Sequence, residues 1–418
     1  MMSRHVVIVG AGVAGLRAAE ATRRHHPDVR VTLVGEEPWA PYQRPPLSKE
    51  LLTRVDDPAE PVPLNQALDA DDPLVVRRLG VRATALDPAA RTVTLDDGSS
   101  LSWDRLVIAT GVRAAVPAAW RDVPGVLTLR TFADLGALRD AFTRARSAVI
   151  VGAGVLGCEV AAAARQRGLS VDLVDAADQP MLRMLGPEVG RFVAGLHHEQ
   201  GTLLHLGRHV ADLADFDGGP VVTLDDGVAL RPDAVVVAVG AAPDLGWLDG
   251  AGLELDGGVV VSATQATSLP DVFAVGDVAV LRDGADDGRP MRHEHWTYAG
   301  DSAATAATNL FLDPADHVAT TALPYAWSDQ WGCKVQTLGR VSGPPTLVRG
   351  SFEDRRFLAL FAEDGVVVGA AACNHVPHLM KARSVIEQGR TLPDAVEHLG
   401  DRTAAPTPTT TLQETRPS

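Results

Sequence analysis

Six glycines and two acids in this sequence are spaced to hold phosphate and ribose. Gly10, Gly12 and Gly15 make one G-x-G-x-x-G in "VVIVGAGVAG" (Val6–Gly15); Gly152, Gly154 and Gly157 make another in "AVIVGAGVLG" (Ala148–Gly157). The first glycine of such a motif makes a tight turn, the second lets backbone approach a pyrophosphate, and the third lets the helix pack closely on the strand. The helix that follows presents free N–H groups and the positive end of its dipole to the anion. Val13 and Ala14 open the first of these helices and Val155 and Leu156 the second, so they join the glycines as candidate nucleotide contacts. An acid follows each motif: Glu36 after "VTLVG" and Asp175 after "VDLV". Each is expected to accept from a ribose hydroxyl. One such motif is weak, but two in matching context are strong. A carboxylate at Asp175 repels a 2′-phosphate, which favours NADH over NADPH. The next arginine, Arg183, counts as a nucleotide candidate but is no sequence neighbour of Asp175.

A lysine also stands out. Arginine outnumbers lysine 35 to 3, and Lys49 is the only lysine before Lys334. Its retention points to a need for a compact ammonium rather than a planar fork; chance placement is the other reading.

The elements that carry these residues come in duplicate. "VTLDDG" at Val93–Gly98 returns at Val222–Gly227, and "RLVIATG" (Arg105–Gly111) is answered by "AVVVAVG", which ends at Gly240. Both copies read strand, glycine turn, helix, strand, D-G hairpin, then a strand ending in glycine. From motif to hairpin the first copy is 13 residues longer, and "PYQRPPLSKELL" (Pro41–Leu52) has no sequence counterpart in the second. An insertion in one copy is where different chemistry would be placed.

Composition narrows the function classes. A chain of 418 residues has room for two or three domains. A net charge of -15 argues against general nucleic-acid binding and against adsorption to anionic membrane. No apolar run has the length of a membrane span, and the run at Val6–Val9 is too short for a signal peptide, so cytoplasm is the expected location. The three cysteines, Cys158, Cys333 and Cys373, form no C-x-x-C, which disfavours disulfide-reductase chemistry. Cys158 reads as a small buried filler. Pairs such as His293/His295, His205/His209 and His375/His378 lack further ligands, so no metal site is expected.

Beyond the glycine motifs, "PYQRPPLSKELL", "VIATG", "FAVGDVA" (Phe273–Ala279), "RHEHW" (Arg292–Trp296) and "PYAWSDQW" (Pro324–Trp331) occur in order. With them the chain resembles the FAD-dependent NADH:ferredoxin reductases of the putidaredoxin reductase and biphenyl-type dioxygenase reductase kind, from about Val6 to Leu392. The resemblance implies an α/β fold with two Rossmann-like, glutathione-reductase-like dinucleotide-binding domains and a small C-terminal α+β domain. It implies FAD in the first module, with Glu36 on the adenosine ribose and Ala83 by the adenine. Ala109, Thr110 and Gly111 would pass under the dinucleotide, and Arg130 would reach it. Arg44 and Lys49 would approach the flavin, and Asp277 would hold the ribityl chain, with Gly276 allowing close approach. Glu294, His295 and Trp296 of "RHEHW", together with Trp327, would line the flavin site. NADH would occupy the second module, with Asp175 on its ribose, Gly240 in the cradle and Glu159 near the nicotinamide. Lys49 and Glu159, close together in relatives, would be the catalytic pair.

The implied reaction passes a hydride from NADH to FAD and then single electrons to an iron–sulfur ferredoxin. That ferredoxin would serve a haem monooxygenase or a ring-hydroxylating dioxygenase. A partner-independent NADH oxidase or quinone reductase, or a flavin-based redox sensor, are the rival readings. Arg289, Arg292, Lys334 and Arg340 are candidates for a basic ferredoxin-facing patch. The expected division is residues 1–114 with 244–322 for FAD, 115–243 for NADH, 323–395 for the C-terminal domain, and a disordered tail over 396–418.

Overall fold

A computed structural model describes residues 4–54, 60–69, 71–216, 218–282 and 290–400. The chain forms two compact units, one of residues 1–178 with 197–324, the other of residues 179–196 with 325–418.

The first unit contains the duplication as two five-stranded parallel sheets. One is ordered Val75–Leu79, Arg30–Gly35, His5–Val9, Arg105–Ile108 and Val272–Ala274. The other is ordered Leu203–Leu206, Ser170–Asp175, Ser147–Val151, Ala234–Val237 and Val126–Leu127. Central strands such as "VVIV" and "AVVV" are buried throughout, as expected for parallel sheets covered on both faces. Each module also carries its hairpin sheet, Ala83–Asp87 with Thr92–Leu95 and Ser100–Ser102, and Val210–Phe216 with Gly219–Leu224 and Ala229–Leu230. The chain passes between modules through Arg113–Ala114 and returns through Ala241–Ala242, which pair antiparallel.

In the first module, helix Val13–His25 packs on helix Trp296–Asn309 through small residues. Ala14, Ala18, Ala299, Ala303 and Ala306 are all buried there. Close helix approach brings Gly276 so near that a Cβ on it would meet the Ala14 Cβ at 2.9 Å.

The second unit is a five-stranded antiparallel sheet ordered Tyr325–Gln330, Cys333–Gly339, Val366–Cys373, Arg356–Glu363 and Leu347–Ser351. Helix Val376–Glu387 buries Leu379, Ala382 and Val385. Sequence places residues 179–196 within the second module; in the structure they cluster with this unit instead. The reason is aromatic: the Phe192 ring lies 5.2 Å from Phe357 and 5.9 Å from Phe352. The expected tail boundary also moves. Thr391 caps a helix over Leu392–His398, so order continues past residue 395; residues 401–418 lie outside the described residues.

Candidate functional site

The first glycine cradle follows strand His5–Val9. Gly10 has φ +117, and a Cβ there would lie 2.1 Å from the Ala109 carbonyl oxygen. A Cβ on Gly15 would lie 1.8 Å from the Gly10 carbonyl oxygen, so the helix and turn meet with no room for a side chain. Gly12 differs. It is the N-cap of the helix, makes no side-chain cap, and nothing lies within 4 Å of where its Cβ would be. The helix's unsatisfied N–H groups therefore face open space. Above them runs Ala109–Thr110–Gly111, where Thr110 Oγ1 is buried without a hydrogen-bond partner. An uncapped helix start, open space and an orphaned hydroxyl fit a bound pyrophosphate.

The second cradle repeats this. A Cβ on Gly152 (φ +104) would lie 2.4 Å from the Ala238 oxygen, one on Gly157 would meet the Gly152 oxygen, and Gly154 again faces open space at the start of helix Val155–Gln166. Gly240 has φ +123 and is likewise open.

The two acids occupy different registers. Val9 pairs with Val34, and Val151 with Val174. Asp175 is therefore one residue past the paired valine, in the place of Gly35, whereas Glu36 is two past. Asp175 is fixed by backbone: Ala153 N–H donates to Oδ2 at 2.5 Å and Ala177 N–H to Oδ1 at 2.7 Å. Glu36 is half-exposed and pairs with Arg113 Nη2 at 2.6 Å. That carboxylate holds the Arg113 pKa above its ordinary value. Sequence reasoning missed Arg113, which comes from the crossover strand. It also missed Arg208, whose backbone N–H reaches the Asp175 carbonyl at 3.0 Å and whose side chain pairs with Asp226.

The Pro41–Leu52 segment folds as a 3-10 turn over Pro45–Ser48 and one helical turn over Glu50–Thr53. Between them, Lys49 Nζ donates to Glu159 Oε2 at 2.8 Å. Ser48 Oγ donates to the same oxygen at 2.5 Å. Lys49 is 15% exposed and Glu159 3%. One pair thus joins the two modules, 110 residues apart in sequence. Ser48 was not among the expected residues, since nothing local in "PPLSK" reveals a partner on another helix.

Arg130 Nη2 pairs with Asp277 Oδ2 at 2.7 Å, and its Nε donates to the Val112 carbonyl. Arg44 pairs with Glu37 at 2.7 Å and donates to the Arg130 carbonyl at 2.6 Å. Tyr42, also unforeseen, donates to Glu37 and accepts from Phe132 N–H; burial raises its pKa. Ala83 is buried in the core beside Leu95. Trp296 opens its helix and packs on the core that holds Ala14 and Ala299. His295 is its N-cap; burial lowers the His295 pKa, opposed by the charges of Asp277 and Glu294. Glu294 is bound to Arg292 at 2.5 Å, and Arg292 also donates to Gly257 and Ala241 carbonyls. That arginine is therefore occupied rather than offered to a partner; Arg289 lies outside the described residues. Trp327 and Arg183 belong to the second unit, where Trp327 stacks on Tyr325 at 5.8 Å and Arg183 is exposed; Lys334 is exposed there, and Arg340 pairs with Glu363 at 2.8 Å.

Residues 4–303 match the pyridine nucleotide-disulphide oxidoreductase family, and residues 325–404 match the reductase C-terminal family. The chain is 38% identical over 401 residues to the anthranilate 1,2-dioxygenase system ferredoxin–NAD(+) reductase component of Burkholderia cepacia, covering 95% of this chain and 97% of that one. It is 36% identical over 401 residues to the chlorobenzene dioxygenase ferredoxin reductase component of Cupriavidus sp. strain PS12, covering 93% and 95%. Among solved structures, the ferredoxin reductase for the CYP199A2 system of Rhodopseudomonas palustris superposes with a TM-score of 0.87 at 31% identity, covering 93% of this chain and 96% of that one. The chain belongs to the FAD-dependent NADH:ferredoxin reductases.

As a ferredoxin reductase it is an oxidoreductase that uses FAD and NADH, and the two cradles above fit a dinucleotide each. Its three cysteines are buried. Cys158 Sγ donates to the Ala153 carbonyl at 3.4 Å, and burial pushes its thiol pKa well up. Such a thiol is a poor nucleophile. Among the described residues no helix is long and apolar enough to cross a membrane, and no cluster of three or more His, Cys, Asp or Glu could hold a metal.

Proposed function

We propose that this chain is the reductase component of an oxygenase system, taking hydride from NADH and delivering single electrons to an iron–sulfur ferredoxin in the cytoplasm. The observation that carries the reading is the Lys49–Glu159 pair, which ties the insertion of the first module to the helix of the second cradle with no accessible thiol nearby. FAD, when bound, supplies the conversion of a two-electron donor into one-electron steps. The protein's share is position and field. Lys49 presents an ammonium at the flavin edge of the first module, and Glu159 with Ser48 keeps that ammonium in place. Arg130 orients Asp277 for the ribityl hydroxyls. Asp175 takes the NADH ribose and turns away a 2′-phosphate. The relatives named for anthranilate and chlorobenzene systems support a dioxygenase downstream; a haem monooxygenase is the other acceptor of the same chemistry.

Replacing Asp175 by alanine is expected to cut the preference for NADH over NADPH about tenfold or more, since the loss of one charge-assisted contact and one repulsion together exceeds about 1.4 kcal/mol. The ratio of kcat/KM for the two nucleotides checks this, and an unchanged ratio removes Asp175 from the ribose. The function as a whole is tested by NADH-driven cytochrome c reduction with and without an added [2Fe–2S] ferredoxin. A rate that depends on ferredoxin supports the reading; equal rates with oxygen or quinone alone would replace it with an oxidase.

A further inference from the structure

One helix of the second module, Val155–Gln166 with its C-cap Arg167, grips the segment that carries Lys49 at two places. The first is Glu159, which receives Ser48 and Lys49. The second lies eight residues on, at the C-cap of the same helix, where Arg167 Nη1 donates to the Leu52 carbonyl at 3.1 Å. Nη2 of Arg167 donates to Thr143 Oγ1 at 2.9 Å and to the Arg139 carbonyl at 3.3 Å, both on helix Phe132–Arg144. Its guanidinium carbon stands 5.8 Å from the Phe142 ring centroid. One half-buried side chain therefore joins two helices of the second module to the insertion of the first. At 1.5 Å per helical residue the Glu159 and Arg167 backbones are about 12 Å apart along their helix, so the segment is held at two points rather than one.

The held element cannot hold itself. Helix Glu50–Thr53 is a single turn, well below the length at which a helix is stable alone. Its terminal carbonyls have no partner within the helix. Arg167 supplies one to Leu52, and a cation at that end also complements the helix dipole. Leu51 and Leu52 are buried, which anchors the turn without fixing its rotation.

We propose that Arg167 is a positioning residue for hydride transfer, acting through Lys49: it locks the far end of the insertion so that the ammonium stays where Glu159 can hold it. This rests on the roles given above to Lys49 and Glu159. Arg167 contacts the insertion and helix Phe132–Arg144, away from both glycine cradles, so its removal leaves nucleotide binding intact and changes the alignment of the reacting groups. A misplacement of this kind is costly, because rate falls steeply with sub-ångström error in the reacting geometry.

The test is a double-mutant cycle in the FAD-loaded enzyme, reading flavin reduction at saturating NADH by stopped-flow absorbance. Arg167→Met is expected to slow reduction about tenfold, with FAD content and NADH KM at wild-type values. Arg167→Lys, whose ammonium cannot span the three hydrogen-bond partners as the guanidinium does, is expected to fall between; it carries the test if the methionine variant does not fold. The decisive readout is Arg167→Met combined with Lys49→Met. If Arg167 acts through Lys49, the pair is no slower than Lys49→Met alone. Independent, multiplying effects overturn the proposal. So does a wild-type rate for Arg167→Met beside a slow Lys49→Met, an outcome that leaves the proposed function standing. Wild-type rates in both single variants would instead sink the assigned role of Lys49, and this proposal with it.

Discussion

Lys49→Met is expected to slow flavin reduction by NADH, read by stopped-flow absorbance, about a hundredfold while FAD remains bound, a loss typical of removing one preorganised electrostatic group from a reacting centre. The reasoning starts from burial. Glu159 is 3% exposed and shares one oxygen between the ammonium and the Ser48 hydroxyl. Methionine keeps the apolar body of lysine as far as Cε and removes the ammonium with its charge and its donors. What remains is a buried carboxylate that has lost its ammonium, and breaking such a pair costs about 3–5 kcal/mol of stability. A lower melting temperature is therefore expected alongside the slower rate. The two effects separate in Lys49→Met combined with Glu159→Gln. There the buried negative charge is gone, so stability returns; the rate does not, because the ammonium is still missing. Recovery of both would mean that Lys49 serves only the fold.

Gly154→Ala and Gly152→Ala should fail in opposite ways. At Gly152 the backbone has φ +104 and the new methyl would sit 2.4 Å from the Ala238 carbonyl oxygen. That variant loses folded protein. At Gly154 the backbone is extended and no atom lies within 4 Å of the added Cβ. The fold accepts it; the pyrophosphate does not, because the methyl occupies the space where the helix N–H groups meet phosphate. NADH KM is expected to rise about ten- to a hundredfold, about 1.4–2.8 kcal/mol of binding, with FAD content and melting temperature unchanged. Stopped-flow titration with NADH measures it. An unaltered KM would take the nucleotide out of this cradle.

Much of this was legible because the signals are local. Glycine spacing, β-branched strands and D-G hairpins each speak within a dozen residues, and both modules follow from them. The contacts that couple the modules do not. Ser48 finds Glu159 across 111 residues, and Leu52 finds Arg167 across 115; no periodicity announces either. Counting residues after an apolar run also hides register: Glu36 and Asp175 look equivalent in sequence, yet strand pairing sets them one residue apart. Nor does any local pattern show where residues 179–196 pack; Phe192 meets Phe352 and Phe357, more than 150 residues on.

The outermost strands of the two sheets also dictate an order of birth. The second sheet draws all five strands from between Val126 and Val237, one continuous stretch. The first draws its last strand from Val272–Ala274, with Gly276 and Asp277 immediately after. Domains made of contiguous chain fold as units while synthesis proceeds. On the ribosome the second sheet can therefore form while the first still lacks its edge strand and the Asp277 that follows it. The sheet behind the second cradle thus has all its strands in hand before the sheet behind the first.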